Sequence, residues 1–201
     1  MIDADGVLTI SPTDGVSGTL ASYTSSRPSW YSNRYKVKKV VVEEGVSVGA
    51  GCYQLFEEFG NCTEMVLSKL NTSNTTSMQR MFWRCDDLQS LDLSAWDVSK
   101  VRNMKSMFYS CENLTSINLS GWNTSKVTDM TSMFQACRAF TTLNLSGLDT
   151  SSVTCMAQMF YFMNNLESLD ISSFDTRNVV DTQGTDNFHR NAILLPGQQE
   201  P

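Results

Sequence analysis

Few side chains in this sequence are spaced for covalent or metal chemistry. His189 is the only histidine, which leaves little material for a His-based catalytic site or a zinc centre. The six cysteines, Cys52, Cys62, Cys85, Cys111, Cys137 and Cys155, contain no Cys-x-x-Cys pair, so structural zinc is poorly supported. Cys85, Cys111 and Cys137 instead follow one another at intervals of 26 residues. Acids and amides recur at the same interval, as Asp92, Asn118, Asn144 and Asp170, with Glu64 beside Val66 in the upstream slot. Trp83, Tyr109 and Tyr161 form a third series, interrupted by Gln135. Aligned acids and amides can hydrogen-bond a polar ligand, and aligned aromatics can stack on protein or glycan. Calcium fits less well, because it takes 6–8 oxygens from a folded loop. No nucleophile–base pair emerges, so neither catalysis nor a cofactor or metal is expected.

Composition narrows the classes further. With 201 residues and 41% hydrophobic content, the chain can bury a core. Fifteen basic against 21 acidic residues give a net charge of −6, which disfavours a nucleic-acid binder. No apolar run reaches about 18 residues, so no membrane insertion is expected. The opening residues, MIDADGVLTIS, lack the charged and apolar regions of a secretory signal, so the chain is either intracellular or begins after a removed signal.

What must position these series is a repeat. Met-Phe recurs at Met81-Phe82, Met107-Phe108, Met133-Phe134 and Met159-Phe160, each pair 26 residues after the last. MQRMFWRCDDLQSLDLSAWDVSKV is followed by MKSMFYSCENLTSINLSGWNTSKV and two more such blocks, with CYQLFEEFGNCTEMVLSKLNTSNT upstream in the same register. Met104, Met107, Phe108 and Cys111 fall at i, i+3, i+4 and i+7, the spacing of one buried helical face, with Ser99 near its N-cap. Leu88, Leu91, Leu93 and their counterparts give L-x-x-L-x-L, whose last three positions alternate as in a half-buried strand. The spacing therefore predicts an α/β fold: a leucine-rich repeat solenoid of about five 26-residue strand-plus-short-helix rungs with N- and C-terminal caps. The cap and first strand take residues 1–51, the solenoid 52–181, and a degenerate cap or tail 182–201. Val37, Val40 and Val42 suggest an extra strand, Gly6–Ile10 another, and Trp30-Tyr31 a cover for the open core. Thr182, Thr185, Asp186 and His189 place polar residues in the slots of Met, Met, Phe and Cys, as a terminal repeat would. At the corner after each strand, Leu70, Trp96, Trp122, Leu148 and Phe174 replace the usual Asn or Cys.

Over residues 52–181 the pattern L-x-x-L-x-L-S-x-[WF]-[DN]-T-S-x-V-x-x-M-x-x-M-F-x-x-C resembles the BspA-type leucine-rich repeat surface proteins of bacteria and some protozoa. The resemblance implies an exported or cell-surface protein that adheres to host matrix, host cells or other microbes. It brings no catalytic residues.

Stacked strands lie about 4.8 Å apart, so residues in successive blocks align as columns. On the strand face, Glu64, Asp92, Asn118, Asn144 and Asp170 are candidate ligand residues; the alternative is a solvated face. The flanking Ser94, Ser120, Ser146 and Ser172 are expected to bond their own turns. On the helix side, Trp83, Tyr109 and Tyr161 point away from the core, as a sticky stripe or as ordinary scattered aromatics. The Met columns and Trp96 and Trp122 are expected in the core. Neighbouring helices pack about 8–10 Å apart, too far for a disulfide, so the column cysteines should stay reduced. Cys155 replaces Asn103 and Asp129 and is expected to be an exposed thiol, while Cys52 and Cys62 may or may not pair. N-x-[ST] sequons at Asn71, Asn74, Asn113, Asn118, Asn123 and Asn144 matter only in a eukaryotic secretory route. Two functions remain: a binding module for an extracellular protein or glycan, and a structural spacer with no ligand of its own. The oligomeric state is open.

Overall fold

A computed structural model describes residues 1–24 and 26–180. In it the 26-residue period becomes a stack of short parallel strands: β1 (Val7–Ile10), β2 (Gly18–Leu20), β3 (Lys39–Val42), β4 (Val46–Val48), β5 (Glu64–Val66), β6 (Ser90–Asp92), β7 (Ser116–Asn118), β8 (Thr142–Asn144) and β9 (Ser168–Asp170). β1, β3 and β5 form one sheet, and β2 pairs with β4, β6 with β7, and β8 with β9. All these pairs are parallel, and Leu91 opposes Ile117 as Leu143 opposes Leu169, in step with the repeat. The chain is thus a β-solenoid. We number as rungs one to five the turns beginning at Gly51, Ser77, Asn103, Asp129 and Cys155.

The strands are short because a corner follows at once: the N–H of Trp96 bonds back to the carbonyl of Leu93, and Leu70, Leu148 and Phe174 repeat the turn. Asx caps fix the loops between. The Oδ1 of Asp92 accepts the Ser94 N–H, that of Asp97 the Ser99 N–H, and that of Asn103 the Lys105 N–H. Later rungs repeat all three, which explains why Asn, Asp, Ser and Thr crowd the sequence there. Ser99, read as a helix cap, is itself capped by Asp97.

The expected helix is absent. Met78–Cys85 and its counterparts are chains of overlapping turns in which every second N–H leaves the rung. Met78, Arg80, Phe82 and Arg84 donate to the carbonyls of Asn103, Lys105, Met107 and Tyr109 in the next rung. Met81, Trp83 and Cys85 donate back three residues, to Met78, Arg80 and Phe82. This flattening needs left-handed residues, and they recur at Gln54/Glu58, Arg80/Arg84, Ser106/Ser110, Ser132/Ala136 and Gln158/Phe162, with φ between 55° and 61°. An α-helix would keep those N–H groups inside one rung. Here they tie neighbouring rungs together, and the cost of non-glycine left-handed φ, about 1–2 kcal/mol each, is offset by that ladder.

Both patterns bury the same side chains. Met78, Met81, Phe82, Cys85 and their equivalents in rung three are fully buried, as is the Leu88/Leu93 pair. Phe56, Phe82, Phe108, Phe134 and Phe160 stack along the axis with centroids 5.6, 5.6, 5.3 and 6.2 Å apart. Trp96 and Trp122 are buried at the corners and donate their indole N–H to the carbonyls of Leu67 and Leu93 in the preceding rung, at 3.1 and 2.9 Å.

The N-terminal region is built as further turns of the same stack rather than as a separate cap. β1 and β3 continue the strand face, and the Ile2–Leu8 antiparallel bridge folds the first residues over the outer edge of β1. Gly6, at φ +84°, makes this return possible; a Cβ there would sit 2.6 Å from the Lys36 carbonyl. Trp30 lies in a 3-10 helix, Ser29–Lys36, that the sequence did not suggest, and bonds the Leu55 carbonyl. At the other end, Val179 bonds back to Thr176 and keeps the register, whereas Thr182, Thr185, Asp186 and His189 lie outside the described residues.

The two faces of the stack differ in continuity. The turn face carries four backbone hydrogen bonds between each pair of consecutive rungs from one to five. The strand face is joined between rungs two and three and between four and five, but β5 does not pair with β6, nor β7 with β8.

Candidate binding faces

On the strand face, Glu64, Asp92, Asn118 and Asn144 are exposed and Asp170 is half-exposed. Asp92, Asn118, Asn144 and Asp170 occupy the middle column, as the repeat requires, and Glu64 lies in the flanking column, with Val66 in the middle slot of its rung. Their side chains do not stand free, however. Asp92, Asn118, Asn144 and Asp170 each turn back to accept the N–H two residues on, from Ser94, Ser120, Ser146 and Ser172. Those bonds hold the Asp92 and Asp170 carboxyls below the ordinary carboxylate range, so both are ionised at neutral pH. Glu64 is engaged with Lys39 at 2.7 Å. From 89 to 94, 115 to 120, 141 to 146 and 167 to 172, the charged residues are Asp92, Glu167 and Asp170. Over rungs two to five the face is therefore polar with only acidic charge.

The aromatic series changes character once the helix is gone. Trp83, Tyr109 and Tyr161 are half-buried rather than projecting, and Gln135 is buried. Trp83 and Tyr109 stack at 5.7 Å between centroids, with the guanidinium groups of Arg80 and Arg84 at 5.7 and 5.4 Å from the Trp83 ring. Tyr161 is separated from them by Gln135 and packs on its exposed neighbour Phe162 at 3.9 Å. The structure thus brings two of the three together, with a cationic rim that the sequence reading missed.

That column continues upstream into an ionic cluster. Arg34 lies 2.8 Å from Glu58, Tyr31 donates to the same carboxylate, and Arg27 and Arg34 both lie 3.9 Å from the Tyr31 ring centroid. Burial opposes ionisation of Glu58, but the bonds from Tyr31 and Arg34 outweigh it and lower its pKa. Burial and Glu58 push the Tyr31 phenol up to about 12. Glu57 is buried beside Arg27, with burial raising its pKa against the pull of Arg27. Alongside, burial pushes Asp86 up to about 6; Arg84 pulls the other way, and Glu112, Asp87 and Glu58 add to the rise.

All six cysteines are free. Cys85, Cys111 and Cys137 donate to the carbonyls of Phe56, Phe82 and Phe108 at 3.2, 3.1 and 2.9 Å. Helix spacing is not what keeps them apart, since their rungs are directly hydrogen-bonded; each thiol lies against a carbonyl of the preceding rung. Burial pushes Cys52 and Cys62 up to about 11, whereas Cys155 is half-exposed. Among the described residues no group of three or more His, Cys, Asp or Glu side chains converges as a metal site would, and no helix is long and apolar enough to cross a membrane.

Two concavities stand out. One, of about 630 Å³, lies at the N-terminal end among Ile2, Asp3, Trp30, Asn33, Lys36 and Lys38. The other, of about 320 Å³, opens on the strand face between rungs three and four.

These features define a repeat protein of the β-solenoid class, with a polar strand face and a turn face held by a continuous ladder. The family model described as "Mycoplasma protein of unknown function, DUF285" matches residues 51–143 and 113–191, and the chain belongs to this family. No curated protein matches it.

Proposed function

We propose that this chain is a non-catalytic binding module, displayed at the cell surface or secreted, that adheres to host or microbial macromolecules through the strand face of its solenoid. The observation that carries this reading is the column Asp92, Asn118, Asn144 and Asp170, held in fixed orientation by Asx caps on a broad polar surface. A rigid, repeating array of acceptors suits recognition of an extended protein or glycan. The likeness of residues 52–181 to BspA-type leucine-rich repeats supports the surface placement and the adhesive role. The half-buried Trp83–Tyr109 pair with Arg80 and Arg84 is a secondary surface for the same purpose.

A second reading, a spacer without a ligand, is favoured by one fact. Each Asp or Asn of the column already spends an oxygen on its own backbone. Binding of the purified chain to immobilised extracellular-matrix proteins, cells and a glycan panel separates the two. Saturable binding that Asp92→Lys/Asp170→Lys abolishes, with the melting temperature recorded alongside, supports the strand face. Binding that this variant retains moves the site to Trp83 and Tyr109. A folded chain that binds nothing is a spacer.

A further inference from the structure

The opening between rungs three and four is a local departure from the repeat. On the strand side, the last bonds that join these rungs are Ala139 N–H to the Glu112 carbonyl at one end, and the Thr124–Asp149 pair at the other. Between them, residues 113–123 and 140–148 share no hydrogen bond. At rungs two and three the equivalent groups are paired: Thr115 and Ser116 donate to Gln89, and Leu93 donates to Asn118. At rungs four and five, Glu167 and Ser168 donate to Thr141, and Leu145 to Asp170. The corresponding N–H groups of Leu119, Thr141 and Thr142, facing the opening, have no such partner.

The corner residue does not set the pairing, because β8 and β9 pair with Phe174 at their corner, but it decides what crosses an unpaired gap. β5 and β6 are also unpaired, yet the Trp96 indole crosses that gap to the Leu67 carbonyl. At the fourth corner Leu148 stands where Trp96 and Trp122 stand before it, and it has no side-chain N–H to offer Leu119. The walls record the consequence. Met65, Leu67, Leu91, Leu93, Leu143, Leu145, Leu169 and Ile171 are buried, whereas Ile117 and Leu119 are half-exposed to the cleft. Leu145 and Leu148 form its floor, and Asn118, Ser120 and Asn144 its rim.

Resting on the reading of the strand face as the ligand surface, we propose that this cleft binds an extended cationic peptide, taking one apolar side chain between Leu119 and Leu145 with Lys or Arg two residues to either side. Charge complementarity selects the occupant. Asp92 and Asp170 flank the cleft, one rung beyond each wall, and no basic residue lies on this part of the face. Each acid is about one and a half rung spacings from the cleft, roughly 7 Å at about 4.8 Å per rung. Residues i and i+2 of an extended chain are separated by nearly that distance and point the same way. A peptide running along the stack therefore puts an apolar anchor in the cleft and both cations over carboxylates.

The test is fluorescence anisotropy with labelled Gly-Lys-Thr-Leu-Thr-Lys-Gly at low salt, where surface charges are least screened. Controls replace both Lys by Glu, or Leu by Ser. Two variants of the chain accompany it. Leu148→Trp supplies an indole to cross the gap to Leu119, as Trp96 crosses the gap to Leu67, and Ser120→Lys places a like charge on an exposed rim position. Saturable binding below about 1 mM is expected. Each control peptide and each chain variant should weaken it at least tenfold, with Leu148→Trp melting no lower than the parent. No binding by the parent chain, or binding unchanged in Ser120→Lys and Leu148→Trp, overturns the cleft proposal. If the parent still binds macromolecules in an Asp92- and Asp170-dependent way, the strand-face reading survives that failure; if that binding ignores both acids, the strand-face reading fails on its own.

Discussion

The turn face and the strand face are made by the same 26 residues, yet they are held together by different means. On the turn face each rung gives four N–H groups to the next, and five phenylalanines stack behind them. On the strand face β6 to β9 pair in twos, and of the two gaps left between β5 and β9 one is crossed by the Trp96 indole and the other by no strand-to-strand bond. A backbone ladder repeats regardless of sequence, whereas a side-chain bridge fails wherever its residue changes. The turn face is therefore uniform, while the strand face is paired at some rungs and open at others.

The comparison breaks most readily at the Phe column. Phe108→Ala removes a fully buried ring from the middle of the stack and should cost about 3–5 kcal/mol by denaturant unfolding. Leu119→Ala, on a half-exposed cleft wall, should cost roughly 1–2 kcal/mol. Equal losses would mean that the cleft is closed and the two faces are equivalent. Trp122→Phe keeps the ring but removes the N–H bonded to Leu93, and should lose about 1 kcal/mol.

Ser106→Gly sharpens the comparison on the turn face. Ser106 has φ +55°, so glycine there relieves left-handed strain, and a gain of about 0.5 kcal/mol is expected. In a helix the same change would lose about 0.5–1 kcal/mol. The sign of the shift in melting temperature decides which backbone is present.

The smallest expected effect is pH-dependent. Asp86 is pushed up to about 6, above its unfolded value, so the fold holds its proton more tightly than the unfolded chain does. Its contribution is favourable at low pH and is lost as pH rises from about 4 to about 6. Asp86→Asn should therefore melt higher than the parent above pH 6, with the difference shrinking below about pH 4. Asp92, Asp97, Asp149, Asp170 and Asp175 are all lowered and act oppositely in both proteins, losing stability as pH falls. They cancel in the comparison. A difference that grows toward low pH would contradict the burial of Asp86.

Much of this was legible in the residues. The period, the strand positions and the buried Met, Phe and Cys columns follow from apolar spacing alone, because only a stack of identical turns buries Phe82, Phe108 and Phe134 at equal intervals. The helix did not follow, since i, i+3, i+4 and i+7 also describes a run of turns with left-handed residues at positions such as Arg80 and Arg84. The signal that could have warned of it is faint: none of the ten left-handed positions holds a β-branched residue, but none holds glycine either. The Asp/Asn column was legible as a column, while its engagement with the Ser N–H groups depends on the turn that follows each strand. The cleft was not legible, because the corner slot holds Leu70, Trp96, Trp122, Leu148 and Phe174, and that series does not mark where the strands part.

Residue-resolved amide exchange on the intact chain tests the central contrast most directly. The Phe108 and Ser110 amides on the turn face, and Leu93 and Leu145 on the paired part of the strand face, should be strongly protected, because all four are bonded to the next rung. Leu119, Thr141 and Thr142 should exchange far faster. Protection of Leu119 equal to that of Leu93 and Leu145 would show a continuous strand ladder and remove the cleft from the molecule.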